Sequence, residues 1–305
     1  MARTSATLST TIERPGLGRD RTRGEAFLAY CRRNPPLVIG AAIMAAIVLF
    51  SVLGPVFVNT KHAQPLSALP FLGPSAAYPL GTDDNGRDLL AVMVVGLPIT
   101  LRIGFLAGAV GLLIGLILGI MAGFLGGVID AIIRTTVDIL LTVPSLLILT
   151  TIAASIKGFI SANILALVIA SLAWRGPTRT VRAQVLTLRE RGYILMAQRS
   201  GAGTFEVLVR ELLPNLLPFI AASFVSAVAL AILTSIGLEA LGLGPQNEPT
   251  LGMTVYWAIK FNAQLRGLWW WWLPPIGAVV LLLVGLTLFT MGLDELANPR
   301  LRRQA

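Results

Sequence analysis

Six apolar stretches constrain this chain more than anything else in it: 37–58, 99–127, 129–156, 160–174, 216–238 and 273–293. A helix needs about 20 apolar residues to cross the hydrocarbon core of a bilayer, and the first stretch carries no charge at all. Over the whole chain 13% of residues are charged and 55% hydrophobic, where soluble domains average about 25% charged. A chain so short of polar surface uses lipid as part of its solvent. The expectation is an all-α membrane protein of six transmembrane helices.

An even number of spans returns both ends to one side, and the basic residues say which. Seven Lys and Arg lie in 1–36, one is Arg134, seven lie in 175–210, and Arg300, Arg302 and Arg303 close the chain. The opposite side receives only Lys61, Arg87, Arg102, Lys157, Lys260 and Arg266. Cytoplasmic loops carry the excess of Lys and Arg, so both termini are expected in the cytoplasm. The net charge of +9 then needs no nucleic acid. The expected order is a cytoplasmic tail 1–36, a first span 37–58 and an extracytoplasmic segment 59–98. A membrane domain 99–294 follows, holding a cytoplasmic segment 175–214, and then a tail 295–305. Arg32 and Arg33 lead straight into a full-length span, so 1–36 reads as a tail and not a cleaved signal. The tryptophans at 269–272 fall at the outer interface, as an aromatic belt or a surface for stacking sugars.

Little chemistry is available inside such a chain. One cysteine, Cys31, and one histidine, His62, exclude an internal disulfide and a thiolate metal cluster; no metal site is expected. None of Lys61, Lys157 and Lys260 is preceded by Gly and followed by Ser or Thr, as the lysine of a phosphate-binding Walker A loop must be. Any ATP would be hydrolysed by a partner. Arg134 and Asp138 stand four apart on one helical face and are expected to pair, Asp130 precedes them, and Glu239 ends the fifth span. A proton relay needs carboxylates or histidines strung through the bilayer, and they are missing. Ser145 has no His or Lys in a neighbouring span. No catalytic residue is expected. A transporter driven by an ion gradient is the alternative of another class, and it lacks a midplane carboxylate at a broken helix.

Three patterns remain. Gly111, Gly115, Gly119, Gly123 and Gly127 recur every four residues, a stripe that lets a second helix approach closely in lipid. The outer segment holds Gly81, Thr82, Asp83, Gly86, Arg87 and Asp88, residues that suit a tight hydrogen-bonded turn; they lack the spacing and distal Glu of a calcium loop. The segment 175–214 reads as a helix to Tyr193, a short piece 194–199, a break at Gly201–Gly203, and a helix 204–213 that stops before Pro214. A short helix held between glycines is the shape of an element that docks in a partner's groove. A solvated basic loop is the equal alternative.

At that segment the residues become familiar. Arg182-Ala-x-Val-Leu-x-Leu-Arg-Glu190, Tyr193-Ile-Leu-Met-Ala-Gln-Arg-Ser-Gly-Ala202 and Arg210-Glu-Leu-Leu-Pro-Asn215 resemble the EAA region of ABC importer permeases. The similarity is greatest to the second permease subunit of the dipeptide/oligopeptide/nickel family. Pro79-Leu-Gly-Thr-Asp-x-x-Gly-Arg-Asp-Leu89, Gly126-Gly-x-x-Asp130 with Arg134, Asp138 and Pro144, Leu238-Glu-Ala-Leu-Gly-Leu-Gly244 and Asn298-Pro-Arg-Leu-Arg302 agree with it. Leu195 and Met196 depart from the Glu-Ala that opens the triplet, leaving Ala197, and Glu211 stands where a basic residue is usual. The resemblance implies a type I importer in the bacterial cytoplasmic membrane. Its partners are a sister permease forming a heterodimer, two ATPase subunits that hold ATP and Mg, and an extracytoplasmic solute-binding protein. No cofactor is implied on this chain. It further implies ATPase coupling through Tyr193, Ile194, Leu195, Met196, Ala197, Arg199, Gly201, Ala202, Gly203, Arg210 and Pro214. Peptides are the implied solute, with oligosaccharides, nickel and opines as alternatives; the solute-binding residues stay unknown.

Overall fold

The computed structural model describes residues 33–297, with side chains as far as Asp294. Contacts separate Met1–Pro35 from Pro36–Ala305; the second unit is described below, and most of the 1–36 tail and the end of the 295–305 tail lie outside the described residues. All extended secondary structure among those residues is one isolated bridge, between Thr82 and Asp88. The rest is helix.

Among the described residues ten helices follow one another, besides a single 3₁₀ turn at Thr60–Ala63. They are α1 (Pro35–Phe57), α2 (Leu89–Leu125), α3 (Gly127–Thr142), α4 (Ser145–Ser155), α5 (Ala162–Ala173), α6 (Arg175–Arg189), α7 (Gly192–Arg199), α8 (Thr204–Ala240), α9 (Leu251–Lys260) and α10 (Trp269–Ala297). Helices α1, α2, α8 and α10 are each long and apolar enough to cross a membrane. A fifth crossing is available if α3 and α4 count as one span.

Four expectations need correction. The span 129–156 is not straight: α3 and α4 meet at 84°. Val143 is extended, with ψ 129°, because the ring of Pro144 crowds the α conformation of the residue before it. The span 99–127 begins ten residues early, at Leu89, where Asp88 caps the helix by accepting from the Leu90 N–H at 3.0 Å. Arg102, expected near the outer end of the span, therefore stands several turns inside the helix. Span 160–174 is a helix of only 12 residues that runs on, through Trp174, into α6. Finally, no break precedes Pro214. The chain passes from α7 into one 37-residue helix, whose backbone widens to a π-turn at Val207–Leu212. Pro214 supplies no N–H and crowds the carbonyl one turn back, and a wider turn relieves both faults without stopping the helix.

The glycine stripe sets the packing. A Cβ at Gly111 would meet Ala173, one at Gly115 Pro177, one at Gly119 Val181 and one at Gly123 Val185. Each step of four on α2 matches a step of four on α5–α6, so the two run parallel in constant register. Higher on α2, Gly104 and Gly108 face Ile232 and Val228 of α8. Gly127 departs from the expected stripe: nothing lies within 4 Å of its Cβ position, and its φ is +58°. Its use is conformational, at the turn between α2 and α3. Five apolar clusters lie around this frame among the described residues, and three of them position the features below. Ile103, Leu149, Leu165 and Leu238 join α2, α4, α5 and α8. Val181, Val185, Ile194, Leu212 and Leu216 fill the arginine-rich end, and Leu89, Ala258, Leu268 and Trp271 fill the other.

Candidate functional site

Helix α7 hangs from the arginine-rich end of α6 on one anchor. Ile194 is 0% exposed, set among Val181, Val185, Val207 and Leu212. This corrects the expectation that Ile194 offers itself to a partner. Eight residues make about two turns, and the turn that carries Ile194 inward turns Tyr193, Leu195 and Met196 outward. Met196 is 65% exposed, and Phe205, which sequence reasoning missed, is 79% exposed just beyond the loop. The only signal for Phe205 was an aromatic residue directly after the break. Ala197 and Ala202 pack partly into the cluster above Ile194.

The loop after α7 is a Schellman closure. The Ala202 N–H donates to Ala197 O at 3.1 Å and the Gly201 N–H to Gln198 O at 3.1 Å, with Gly201 at φ +86°. Gly203 is extended, at φ −67°, so the reversal belongs to Gly201 alone and not to both glycines. Arg191 and Arg199 are exposed beside this surface. Arg210 pairs with Glu206 one turn away, both on the surface, where such a pair contributes about 0–1 kcal/mol. Pro214 is exposed on α8.

Helix α6 is clamped to α3 by Asp130, which takes Arg182 through Nε and through Nη2 at 2.7 Å. The expected Arg134–Asp138 pair is thus replaced: both instead line a cleft of about 140 Å³ beside Arg182. Arg189 Nη1 donates to Gly123 O at 3.2 Å, closing the far end of the α2–α6 seam.

A larger cavity, about 510 Å³, opens between α4, the α5–α6 junction and α8. Ser145, Ser223, Ser226 and Thr234 line it, with Arg175 and Asp294 as its charged side chains. Phe219, Ser223, Ser226, Leu230 and Thr234 recur at steps of three and four, so they form one face of α8. The hydropathy of the span conceals that face.

At the opposite end the 81–88 segment is a knot of internal bonds. Asp83 is fully buried; its carboxylate accepts from the Asn85 N–H at 2.9 Å, the Arg87 N–H at 2.8 Å and Arg87 Nε at 2.6 Å. Thr82 Oγ1 donates to Leu69 O at 2.7 Å and accepts from the Leu72 N–H at 2.8 Å. Gly81 and Gly86 sit at φ +68° and +69°, where only glycine is free of strain. Their Cβ positions are filled by Leu72 O and Ala68 O. Trp270 covers Gly81, and Trp271 is fully buried against Phe71 and Phe261. The tryptophans at 269–272 are therefore not a plain belt, nor a free stacking surface: the second and third tie the 81–88 loop to α10, and Trp269 is the exposed one. Glu239, also fully buried, accepts from Thr250 Oγ1 and from the Met253 N–H at 3.0 Å. A carboxylate so placed holds the N-terminus of α9 against the end of α8.

Burial, and then the neighbouring Asp83 carboxylate, push the Asp84 carboxyl up to about 6. The folded loop keeps that proton to higher pH than an unfolded chain does. This contribution to stability is complete below about pH 4 and is lost as pH rises through 6. Loop cleavage by added protease is expected to increase from pH 4.5 to 7, and Asp84→Asn to flatten that rise. An unchanged slope in the variant contradicts the assignment.

Residues 115–303 match the family described as binding-protein-dependent transport system inner membrane component. The chain is 31% identical, over 92% of its length and 90% of the relative's, to the oligopeptide transport system permease protein OppC of Bacillus subtilis. It is 29% identical to the dipeptide transport system permease protein DppC of Alkalihalophilus pseudofirmus, over 73% of this chain and 72% of that one. To the probable D,D-dipeptide transport system permease protein DdpC of Escherichia coli it is 30% identical, over 90% and 91%.

Proposed function

This chain belongs to the family of binding-protein-dependent transport system inner membrane components, and from that premise we propose that it forms half of the translocation path of an ATP-driven oligopeptide importer. Its partners in this reading are a sister permease, two ATPase subunits carrying ATP and Mg, and an extracytoplasmic binding protein. The relatives' peptide cargo supports the solute. The carbohydrate alternative rests on the tryptophans at 269–272 with Tyr256, Trp257 and Phe261, and of these Trp271 is buried and Phe261 is stacked between Trp257 and Trp271. The observation that carries the mechanism is one continuous connection. The α5–α6 helix pair lines the cavity at Arg175 and ends in α7, with Met196 and Phe205 bare beside it.

Closure of the ATPase dimer on ATP would draw the two α7 helices of the paired permeases together and favour an outward-open path. Hydrolysis would remove that bias. The shift is limited by how differently the partners bind the two states. The reading further takes six crossings with both termini in the cytoplasm, α3–α4 and α5–α6 each serving as one.

Reconstitution tests it. The purified chain alone is expected to hydrolyse no ATP, and the full complex to accumulate a labelled tripeptide only with ATP and binding protein. Turnover by the chain alone, or uptake driven by a proton gradient without ATP, would end the reading. Topology has its own measurement: Leu265 is 88% exposed between α9 and α10. In a Cys31→Ser background, Leu265→Cys is expected to react with an impermeant thiol reagent on intact spheroplasts. Reaction only after lysis reverses the orientation.

A further inference from the structure

The cavity between α4, α5–α6 and α8 holds a guanidinium that forms no ion pair among the described residues: Asp294, the other charged side chain of the lining, is not within salt-bridge distance of it. Arg175 is 7% exposed. Its Nε donates to Leu172 O at 2.9 Å and its Nη1 to Leu140 O. These are backbone carbonyls at the ends of α5 and α3, where helix dipoles leave partial negative charge. They orient the side chain but use only two of its five N–H donors. The bonds of its side chain run through Nε and Nη1, leaving Nη2 without a protein acceptor among the described residues, and Arg175 lines the cavity. An arginine fixed on both sides by carbonyls, with its outer edge free, is preorganised for a carboxylate, which a guanidinium grips by two parallel bonds. The hydroxyls of Ser145, Ser223 and Ser226 share the cavity, and its size lies in the range of small-molecule sites.

We propose that Arg175 is the countercharge that receives the C-terminal carboxylate of a peptide passing through this half of the path. This rests on the oligopeptide reading above. Discrimination then occurs inside the membrane as well as at the binding protein, since a solute without an anionic end leaves a desolvated guanidinium unanswered.

The test is uptake by the reconstituted complex of a labelled tripeptide and of its C-terminal amide. Wild type is compared with Arg175→Gln and Arg175→Lys. One binding protein serves all three, so its own preference cancels in the comparison. Arg175→Gln is expected to raise the half-saturating concentration of the free acid about tenfold relative to the amide, and Arg175→Lys to restore most of the difference. Should Arg175→Gln fail to accumulate in the membrane, Ser226→Asp places a carboxylate in the same cavity and is expected to erase the same preference. Loss of acid and amide uptake in equal proportion makes Arg175 a structural pin for Leu140 and Leu172 and overturns the proposal. So does a variant that changes neither. If wild type takes up neither form, the peptide reading itself fails and the subsite falls with it.

Discussion

Gly119→Leu is expected to leave the importer unassembled, with membrane-integrated chain reduced at least tenfold. A Cβ there would stand 2.7 Å from Val181 Cβ and 2.9 Å from Thr178 O, and leucine adds three carbons beyond it. Overpacking by single methylenes costs about 1–3 kcal/mol where side chains can yield. Here one neighbour is backbone, and the other is a stiff β-branched residue fully buried. The parallel contact is repeated above and below, so α2 and α6 cannot separate locally. Gly192→Ala, at a position with open space around it, is the control and is expected to accumulate normally. Normal assembly of Gly119→Leu, scored by copurification with the ATPase subunits, would mean that α2 and α6 do not pack as described.

The second large effect is expected at the bare face beside α7. Met196→Asp should insert and fold, because the side chain touches nothing that holds the chain together. Uptake and binding-protein-stimulated ATP hydrolysis are nevertheless expected to fall more than tenfold. A carboxylate cannot replace an apolar side chain in a partner's groove without a desolvation cost of several kcal/mol. Gly201→Val should give the same loss by another route. With φ at +86°, a β-branched residue opens the Schellman turn and re-aims α7. Wild-type stimulation in both variants would move the docking surface elsewhere on 175–214. Ile194→Asp, by contrast, should fail to fold, since Ile194 belongs to the chain's own core.

That contrast marks what could be read before the structure. A period of four glycines is a statement about one helical face, so the stripe from Gly111 to Gly123 could be placed from spacing alone. Its last member, Gly127, fits the same arithmetic but stands after the left-handed Gly126, where the helical count no longer applies. Direction was the harder quantity. Hydropathy sums over 129–156 and sees one span; the turn made by Val143 before Pro144 changes direction without changing composition. At Pro214 the opposite error arose, because a π-turn let the helix continue past a residue that usually stops one. Eight residues in α7 are too few for a periodic pattern to tell Ile194 from Leu195. Arg175 showed no signal at all: an arginine at a span's end reads as an interfacial anchor until Leu140 O and Leu172 O are seen beside it.

The matched notches along α2 and α6 carry a mechanical consequence. Four contacts engage together, Ala173 at the end of α5 and Pro177, Val181 and Val185 of α6 each seated on a glycine of α2. Sliding one helix past its neighbour would have to lift all four at once, and the next set of seats lies four residues away, about 6 Å along the axis. Positions between would press Val181 and Val185 against residues that have side chains. The pair is therefore a detent with no intermediate settings, transmitting displacement along its length rather than absorbing it. Flexure is left to places where the ladder is already interrupted: Trp174 between α5 and α6, and the corner at Val143 and Pro144.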